Sequence, residues 1–143
     1  MVKKLKMMAM VLVGLAFFTL GHPVLAQERE QESVVTPQAY KYLLDTSCLH
    51  TLDGTNIGVS GTTHTYSAVD KITTTTYLEK KTSSSWTVVK SWTNSTYNSS
   101  YCDVDSSYTG VSGTTYRVRC YHQAYEGNIV ETNTSYSDVF TVK

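Results

Sequence analysis

Acid–base catalysis needs two ionisable side chains held across a cleft, and the acidic residues of this sequence show no such pairing. In the predicted folded region they lie singly along strands and turns: Asp70, Glu79, Asp103, Asp105, Glu126, Glu131 and Asp138. Asp103 and Asp105 share one side of an alternating segment, where a solubilising role is the simpler interpretation. The sequence therefore nominates no catalytic residue, and we expect a protein that is not an enzyme.

The histidines and cysteines also lack the spacing of a metal or nucleophile site. His50, His64 and His122 form neither a His-x-His pair nor a helical i, i+4 pair, and there is no Cys-x-x-Cys. Cys120 and His122 share a strand face, as a catalytic thiol and imidazole would. In an exported domain a disulfide is the simpler fate of that cysteine. We predict no metal and no cofactor.

Aromatic and arginine side chains give the one indication of a binding function. Tyrosine dominates, with eleven residues against three phenylalanines and two tryptophans, and its polar end suits both half-buried sheet faces and binding surfaces. If strand parity places these side chains outward, one sheet presents a surface that suits protein interfaces or stacking on sugars. The candidate members are Tyr77, Trp86, Trp92, Arg117, Arg119 and Tyr121. Cross-strand pairs that merely cover the sheet are the structural alternative.

A β-hairpin over residues 71–93 is the centre of the predicted fold. Both arms are rich in β-branched and aromatic residues, and polar residues 81–85 separate them. On the first arm, Tyr77 and Glu79 fall on the outer side. Four residues of the second arm share one side: Trp86, Val88, Lys90 and Trp92. The lysine indicates a wet surface, although two tryptophans also suit a core from which the lysine extends to solvent.

Alternation continues towards the C-terminus. Inward residues Tyr116, Val118, Cys120 and His122 alternate with outward residues Arg117, Arg119 and Tyr121. Gly127-Asn128 marks a tight turn before the last strand or two. About seven short strands without an amphipathic helix predict an all-β, antiparallel β-sandwich over residues 55–143, with an up-and-down barrel as the alternative.

Residues 1–26 have the pattern of a helical signal peptide. Three lysines precede an apolar run over residues 7–20, and small residues allow cleavage after Ala26. An uncleaved membrane anchor is the alternative, but the run is shorter than the roughly 20 residues that span a bilayer. We therefore expect a secreted or cell-surface protein with no membrane span after cleavage.

Residues 27–54 are predicted to form a polar linker and an extended lead-in. Residues 27–32 contain no apolar side chain, and Pro37 and Asp53-Gly54 interrupt the remainder of the segment. The segment has room for one edge strand. A short helix over residues 38–44 is the alternative, since Ala39, Tyr42 and Leu43 have helical spacing.

Charge and composition exclude some function classes. Without residues 1–26 the chain has nine basic and twelve acidic residues, a net charge of −3. Only Arg117 and Arg119 lie close together, so we expect no nucleic-acid partner. Serine and threonine make up 37 of the remaining 117 residues, which predicts one domain with a small core.

The three cysteines, Cys48, Cys102 and Cys120, all lie in the part that would be exported, where disulfides form. Cys102 and Cys120 fall on the inward parity of strands that should follow each other across the sandwich. We predict a disulfide between them. Cys48 would then be free or would bridge two chains.

The segment Gly113-Thr-Thr-Tyr116-Arg-Val118-Arg-Cys120, with Gly127, Ser135 and Ser137 after it, resembles the last strands of fibronectin type III and related immunoglobulin-like domains. The resemblance covers residues 71–142 and implies an immunoglobulin-like sandwich in which the Tyr116 hydroxyl ties a corner to backbone. The chain is also similar to a group of small secreted proteins of Gram-positive bacteria. The similarity lies in the signal peptide and in Val59-Ser-Gly-Thr-Thr63, Tyr77-Leu-Glu-Lys80, Trp86, Val89-Lys-Ser-Trp92 and Tyr116-Arg-Val-Arg119. That similarity supplies no catalytic residue.

These patterns favour a non-enzymatic extracellular or cell-envelope module for binding or adhesion, with a cell-wall glycan or an extracellular protein as its partner. A small secreted effector or antibacterial toxin is the second hypothesis, and a secreted hydrolase is the third. Growth inhibition by the purified protein would favour the effector, whereas retention on cell walls would favour the module.

Overall fold

The computed structural model describes residues 39–143, so the predicted signal peptide and residues 27–38 lie outside the described residues. The described chain is all-β, and residues 39–143 contain no helix long and apolar enough to cross a membrane. Its six strands are β1 (Leu43–Asp53), β2 (Asn56–Lys81), β3 (Trp86–Thr109), β4 (Thr115–Glu126), β5 (Ile129–Tyr136) and β6 (Phe140–Thr141).

The strands form one antiparallel sheet that curls on itself. The order is β1-β2-β4-β5, while β3 pairs with β2 and β6 pairs with β4. Residues 56–65 of β2 lie between β1 and residues 101–109 of β3, and we call this group the β1 half. Residues 69–81 of β2 lie between residues 86–99 of β3 and β4, and these strands with β5 make the β4 half.

The predicted hairpin is present, but its arms are longer than the sequence indicated. Thr82 N–H donates to the Ser85 carbonyl at 2.9 Å in the turn, and β2 and β3 then continue through residues 66–68 and 94–100. The register shifts between His64 and Val69, and Asn98 adopts a φ of 49°. Because such irregularities bend a pair of strands without reversing them, the described chain has six strands instead of about seven.

β1 is the edge strand for which the predicted lead-in within residues 27–54 had room, and the alternative helix over residues 38–44 is absent from its described part, residues 39–44. β1 pairs with β2 from Leu43 to Asp53, with one irregularity near Leu43. The Glu131 carboxylate of β5 accepts the backbone N–H groups of Lys41, Tyr42 and Leu43 at 2.7 to 2.9 Å. These bonds hold residues 41–43 against β5. Burial acts to raise the pKa of Glu131, but the three hydrogen bonds outweigh it and keep the pKa below its ordinary value.

The core lies where the inner faces of the two halves meet, and it is divided into two apolar clusters. The larger contains Cys48, Ile57, Val59, Leu78, Tyr116, Val118, Cys120 and Val142. The smaller contains Leu43, Val69, Ile72, Cys102 and Ala124. The burial of Tyr116, Val118, Cys120 and His122 confirms the inward parity predicted for β4.

A chain of buried polar side chains runs through the core. The Thr63 hydroxyl lies 2.6 Å from the Thr74 hydroxyl and 2.7 Å from His122 Nδ1, and His122 Nε2 lies 2.7 Å from the Ser135 hydroxyl. Among the described residues, no buried side-chain nitrogen or oxygen lacks a hydrogen-bond partner. This arrangement explains how a chain so rich in serine and threonine builds an interior, since buried polar groups are tolerated when they are paired.

The predicted disulfide between Cys102 and Cys120 is wrong. Cys48 of β1 bonds to Cys120 of β4, with their Cα atoms 5.6 Å apart, and Cys102 is a buried free thiol. Cys102 faces inward as predicted, but it lies just after the bend of β3, where its sulfur donates to the Asn94 carbonyl of its own strand at 3.5 Å. Because the sheet curls, it is the edge strand β1 that crosses β4.

Gly61 makes room for this disulfide. It is the neighbour of Cys48 on β2, and its α-carbon faces the other half of the sheet. A Cβ atom at this position would lie 2.6 Å from the Thr76 hydroxyl and 3.0 Å from the Cys120 sulfur. Only glycine allows the two halves to approach this closely.

Tyr116 closes a corner of the sheet, as the sequence predicted. Its ring is buried, and its hydroxyl accepts a hydrogen bond from the Val111 N–H at 3.1 Å. Val111 lies in the connection between β3 and β4, so the bond fixes that connection against the core.

Replacing Tyr116 with phenylalanine is expected to lower the free energy of unfolding by about 1 kcal/mol, because the Val111 N–H loses its partner. Chemical denaturation measures this loss. Tyr121→Phe is the matched control, since Tyr121 lies on the half-exposed side of the same strand. An equal loss in both variants would contradict the role of the Tyr116 hydroxyl.

Candidate binding surface

The outer side of the β4 half carries most of the predicted binding residues. Residues 117, 119 and 121 of β4 are half-buried between fully buried neighbours, and their β2 partners are Glu79, Tyr77 and Thr75. We call this side the basic face. Its members are Lys71, Tyr77, Glu79, Trp86, Tyr97, Arg117, Arg119, Tyr121, Tyr125 and Tyr136.

One carboxylate holds two arginines at one end of the basic face. Glu79 Oε2 accepts the Arg117 Nε–H at 2.8 Å, and Glu79 Oε1 accepts the Arg119 Nε–H at the same distance. The arginines cover the glutamate, whose side chain is only 6% exposed, while their own side chains are 25% and 26% exposed. The guanidinium groups are therefore fixed in position but still reach solvent.

The protonation of Glu79 follows from this geometry. Burial acts to raise the pKa of Glu79, because it removes water from the charged carboxylate. The hydrogen bonds from Arg119 and Arg117 outweigh burial and hold the pKa of Glu79 below its ordinary value. Glu79 is thus ionised at neutral pH and keeps both arginines aligned.

Aromatic rings pack on the same two guanidinium groups. The Arg117 Cζ lies 4.4 Å from the ring centroid of Trp86 and 4.8 Å from that of Tyr136. The Arg119 Cζ lies 4.1 Å from the Tyr77 ring. Cation–π contacts at these distances stabilise the arginine rotamers and the packing of the rings beside them.

The far end of the basic face repeats the combination with a lysine. The Lys71 Nζ lies 5.7 Å from the Tyr97 ring and 5.4 Å from the Tyr125 ring. Between the two ends the strands carry hydroxyl groups, with Thr73 bonded to Ser95 at 2.9 Å and Thr75 bonded to Thr93 at 3.0 Å. The face is thus a row of hydroxyls with aromatic rings and cations at both ends.

Five of the six candidate residues meet on the basic face. Tyr77, Trp86, Arg117 and Arg119 form the end around Glu79, and Tyr121 is the next outward residue along β4. Trp92 is the exception. It pairs with the buried Thr76 and packs against the larger apolar cluster.

A β-bulge separates the two tryptophans. Val88 pairs with Glu79 and Lys90 pairs with Leu78, so Val89 has no partner on β2. One extra residue reverses the parity of a strand, which places Trp86 and Trp92 on opposite sides of the sheet. The alternative prediction, in which both tryptophans lie in the core, is therefore correct for Trp92 but not for Trp86.

Sequence reasoning missed four residues of the face: Lys71, Tyr97, Tyr125 and Tyr136. Tyr125 was available from the parity of β4, since it continues the outward series of Arg117, Arg119 and Tyr121. Tyr136 and Tyr97 required the lateral register of β5 and β3.

Cys120 and His122 do not form the catalytic thiol–imidazole pair that their spacing would allow. Cys120 is bonded to Cys48, so its sulfur is not a thiolate that an imidazole would activate. His122 is fully buried between two hydroxyl groups, and burial lowers its pKa to about 4 against a weaker opposing attraction from Asp45. Over residues 39–143, no three histidine, cysteine, aspartate or glutamate side chains cluster as metal ligands do.

No protein-family model matches the chain, and no curated protein sequence is similar to it. Among solved structures, the sporulation control protein Spo0M from Bacillus subtilis matches 65% of this chain with 9% identity and a TM-score of 0.34. This chain spans 46% of the length of that protein. A match at this level does not establish a common fold. The function is therefore inferred from the residues of the basic face.

Proposed function

We propose that the protein is a non-enzymatic binding or adhesion module that acts outside the cell or at the cell envelope, and that the basic face is its ligand surface. The observation that carries this proposal is the pair of aromatic and cationic ends that flank a row of hydroxyls. Tyrosine, tryptophan and arginine are the residues that contribute most at binding surfaces.

The ligand class that suits this face best is a glycan. Tyr97 and Tyr136 are 66% and 53% exposed, so each has ring surface left for a sugar to stack on. The hydroxyls of the exposed Thr75–Thr93 pair between them are donors and acceptors that complement sugar hydroxyls. An extended polymer lying along the strands would contact both ends of the face at once.

The disulfide supports a function outside the cell. The disulfide between Cys48 and Cys120 is compatible with an extracellular location, because such bonds persist where the environment is oxidising. We further propose cleavage after Ala26, secretion, and kinship with small secreted proteins of Gram-positive bacteria. An immunoglobulin-like sandwich is the proposed fold type, supported by the packing of the two sheet halves and by the Tyr116 corner.

Retention on insoluble glycans tests the function. Purified protein is mixed with cell-wall sacculi and with cellulose or chitin, and the bound fraction is measured after washing. Tyr97→Ala and Tyr136→Ala are each expected to lower retention on the preferred glycan by about tenfold, a loss of about 1.4 kcal/mol in binding free energy.

Tyr101→Ala is the matched control, because Tyr101 is 43% exposed but lies on the β1 half. It should retain the binding of the unmodified protein. Equal retention of all three variants, or no retention of the unmodified protein on any glycan, would contradict the proposal. Growth inhibition without retention would favour the secreted effector.

A further inference from the structure

We infer that the ligand of the basic face is an anionic cell-envelope polymer, and that Arg117 and Arg119 bind its oxyanions. This inference rests on the proposed function and specifies its ligand: a polymer whose repeating units carry carboxylate or phosphate groups. The arginines, the distribution of carboxylates and the charge of the opposite half each support it.

The first support is the unused capacity of the arginines. Each guanidinium uses its Nε–H for Glu79, and within residues 39–143 neither has a second carboxylate partner. Their terminal nitrogens are therefore left for other acceptors, and arginine presents several donors in a planar fork that suits carboxylate and phosphate.

The second support is that the fork is already ordered before a ligand arrives. Glu79 accepts the Nε–H of each guanidinium, and the rings of Trp86, Tyr136 and Tyr77 pack against the two groups. A long side chain that is already immobilised loses little conformational entropy on binding. Arg117 and Arg119 are two residues apart on one strand, so their Cα atoms are about 7 Å apart and both side chains lie on the same side of the sheet, where one linear polyanion could reach both.

The third support is the state of the carboxylates in the β4 half. Besides Glu79, they are engaged by backbone N–H groups: Asp70 accepts from Gly127 at 2.8 Å, Glu126 from Asp70 at 3.0 Å, and Glu131 from the start of the described chain. These acids lie at the far end of the sheet or at its edge and do not pair with the two arginines. Among the described residues, Glu79 is therefore the one carboxylate within ion-pair distance of the two arginines that a polyanion would meet.

The opposite half has the opposite charge. Residues 43–65 and 101–109 contain no lysine or arginine and four aspartates: Asp45, Asp53, Asp103 and Asp105. The β4 half carries six basic and four acidic residues, a net charge of +2. Charges separated in this way orient a molecule as it approaches a polyanion, so that the basic face arrives first.

Matched polymers test the charge of the ligand. Polygalacturonate and its methyl ester have the same backbone and differ in charge, and poly(glycerol phosphate) with neutral polyglycerol gives the phosphate arm. We expect binding to a charged polymer at least about tenfold tighter than to its neutral form, and weaker as salt is raised from 50 to 200 mM. Comparing the two charged polymers then shows whether the basic face prefers carboxylate or phosphate groups.

The double variant Arg117→Lys, Arg119→Lys keeps the charge and the partner of Glu79 but removes the fork. It should lose about tenfold in affinity for the charged polymer while its melting temperature shows that it is folded. Lys90→Gln is the control, since Lys90 pairs with the inward-facing Leu78 and therefore lies on the other side of the sheet from the two arginines. An equal loss in Lys90→Gln would overturn the role of the arginines.

The two proposals fail in different ways. If the methyl ester and polyglycerol bind as tightly as the charged polymers, the anionic ligand is wrong and the binding module stands. If no polymer is bound in either form, and glycan retention is also lacking, the proposed function fails as well.

Discussion

The double variant Cys48→Ala, Cys120→Ala is expected to lose about 4 kcal/mol of unfolding free energy relative to the oxidised protein. The bond joins residues 72 positions apart, and a covalent loop of that length removes much of the entropy of the unfolded chain. A loss of this size is a large fraction of the stability of a small domain. Urea denaturation at neutral pH measures it.

Two comparisons separate the disulfide from the side chains around it. Cys102→Ala removes a buried thiol of the other apolar cluster, and its smaller loss reports packing alone. Peptide mapping without reductant should recover Cys48 joined to Cys120. A cross-linked peptide containing Cys102, or an unchanged denaturation midpoint in the double variant, would contradict the pairing.

The pairing illustrates what strand parity can and cannot predict. Parity depends on the sequence alone, so the inward direction of both Cys102 and Cys120 was predictable from the alternation around them. Which inward cysteine lies opposite Cys120 depends on how far the sheet curls, and that depends on the bend of β2 near residues 66–68. Tyr66-Ser67-Ala68 is also compatible with a turn, which would have reversed the chain.

The same limit applies to the candidate surface. Arg117, Arg119 and Tyr121 were placed correctly because β4 alternates without interruption from Tyr116 to Ala124. Trp92 was misplaced because Val89 forms a bulge, and a bulge in a run of β-branched and aromatic residues changes nothing in the local composition. Tyr136 joins the face through lateral pairing with Arg119, which a single strand does not encode.

The interior shows a further difference between composition and structure. A high content of serine and threonine predicted a small core, and the apolar clusters are indeed separated by hydroxyl groups. The sequence did not indicate that His122 would join Thr63 to Ser135 across this interior. Parity predicted that His122 faces inward, but its hydrogen bonds to Thr63 and Ser135 depend on how the two halves pack and on where β5 lies beside β4.

The burial of His122 makes the stability of the protein depend on pH. Its ring is held neutral between Thr63 and Ser135, and burial lowers the pKa of His122 from 6.5 to about 4, with Asp45 opposing the shift. Between these two values the unfolded chain binds a proton that the folded chain does not. Stability therefore rises with pH in this window and is fully present above pH 6.5.

We expect the free energy of unfolding to fall by about 2 kcal/mol between pH 7 and pH 4.5, with most of the loss below pH 6.5. Glu79 and Glu131 also have lowered pKa values in the folded protein, and their contribution begins to be lost as the pH approaches the ordinary value of 4.5. Urea denaturation in steps between pH 5.5 and 7, at constant ionic strength, therefore reports the histidine, and the steps down to pH 4.5 add the first part of the glutamate loss.

The matched variants are His122→Gln and His64→Gln. Removing the imidazole at position 122 should flatten the pH dependence whatever the absolute stability of the variant, because the buried ring that causes it is then absent. The slope should persist in His64→Gln, since His64 packs beside Tyr101 on the β1 half and outside the buried network. A slope that persists in His122→Gln and disappears in His64→Gln would place the titrating group outside the core and would contradict the buried network as its cause.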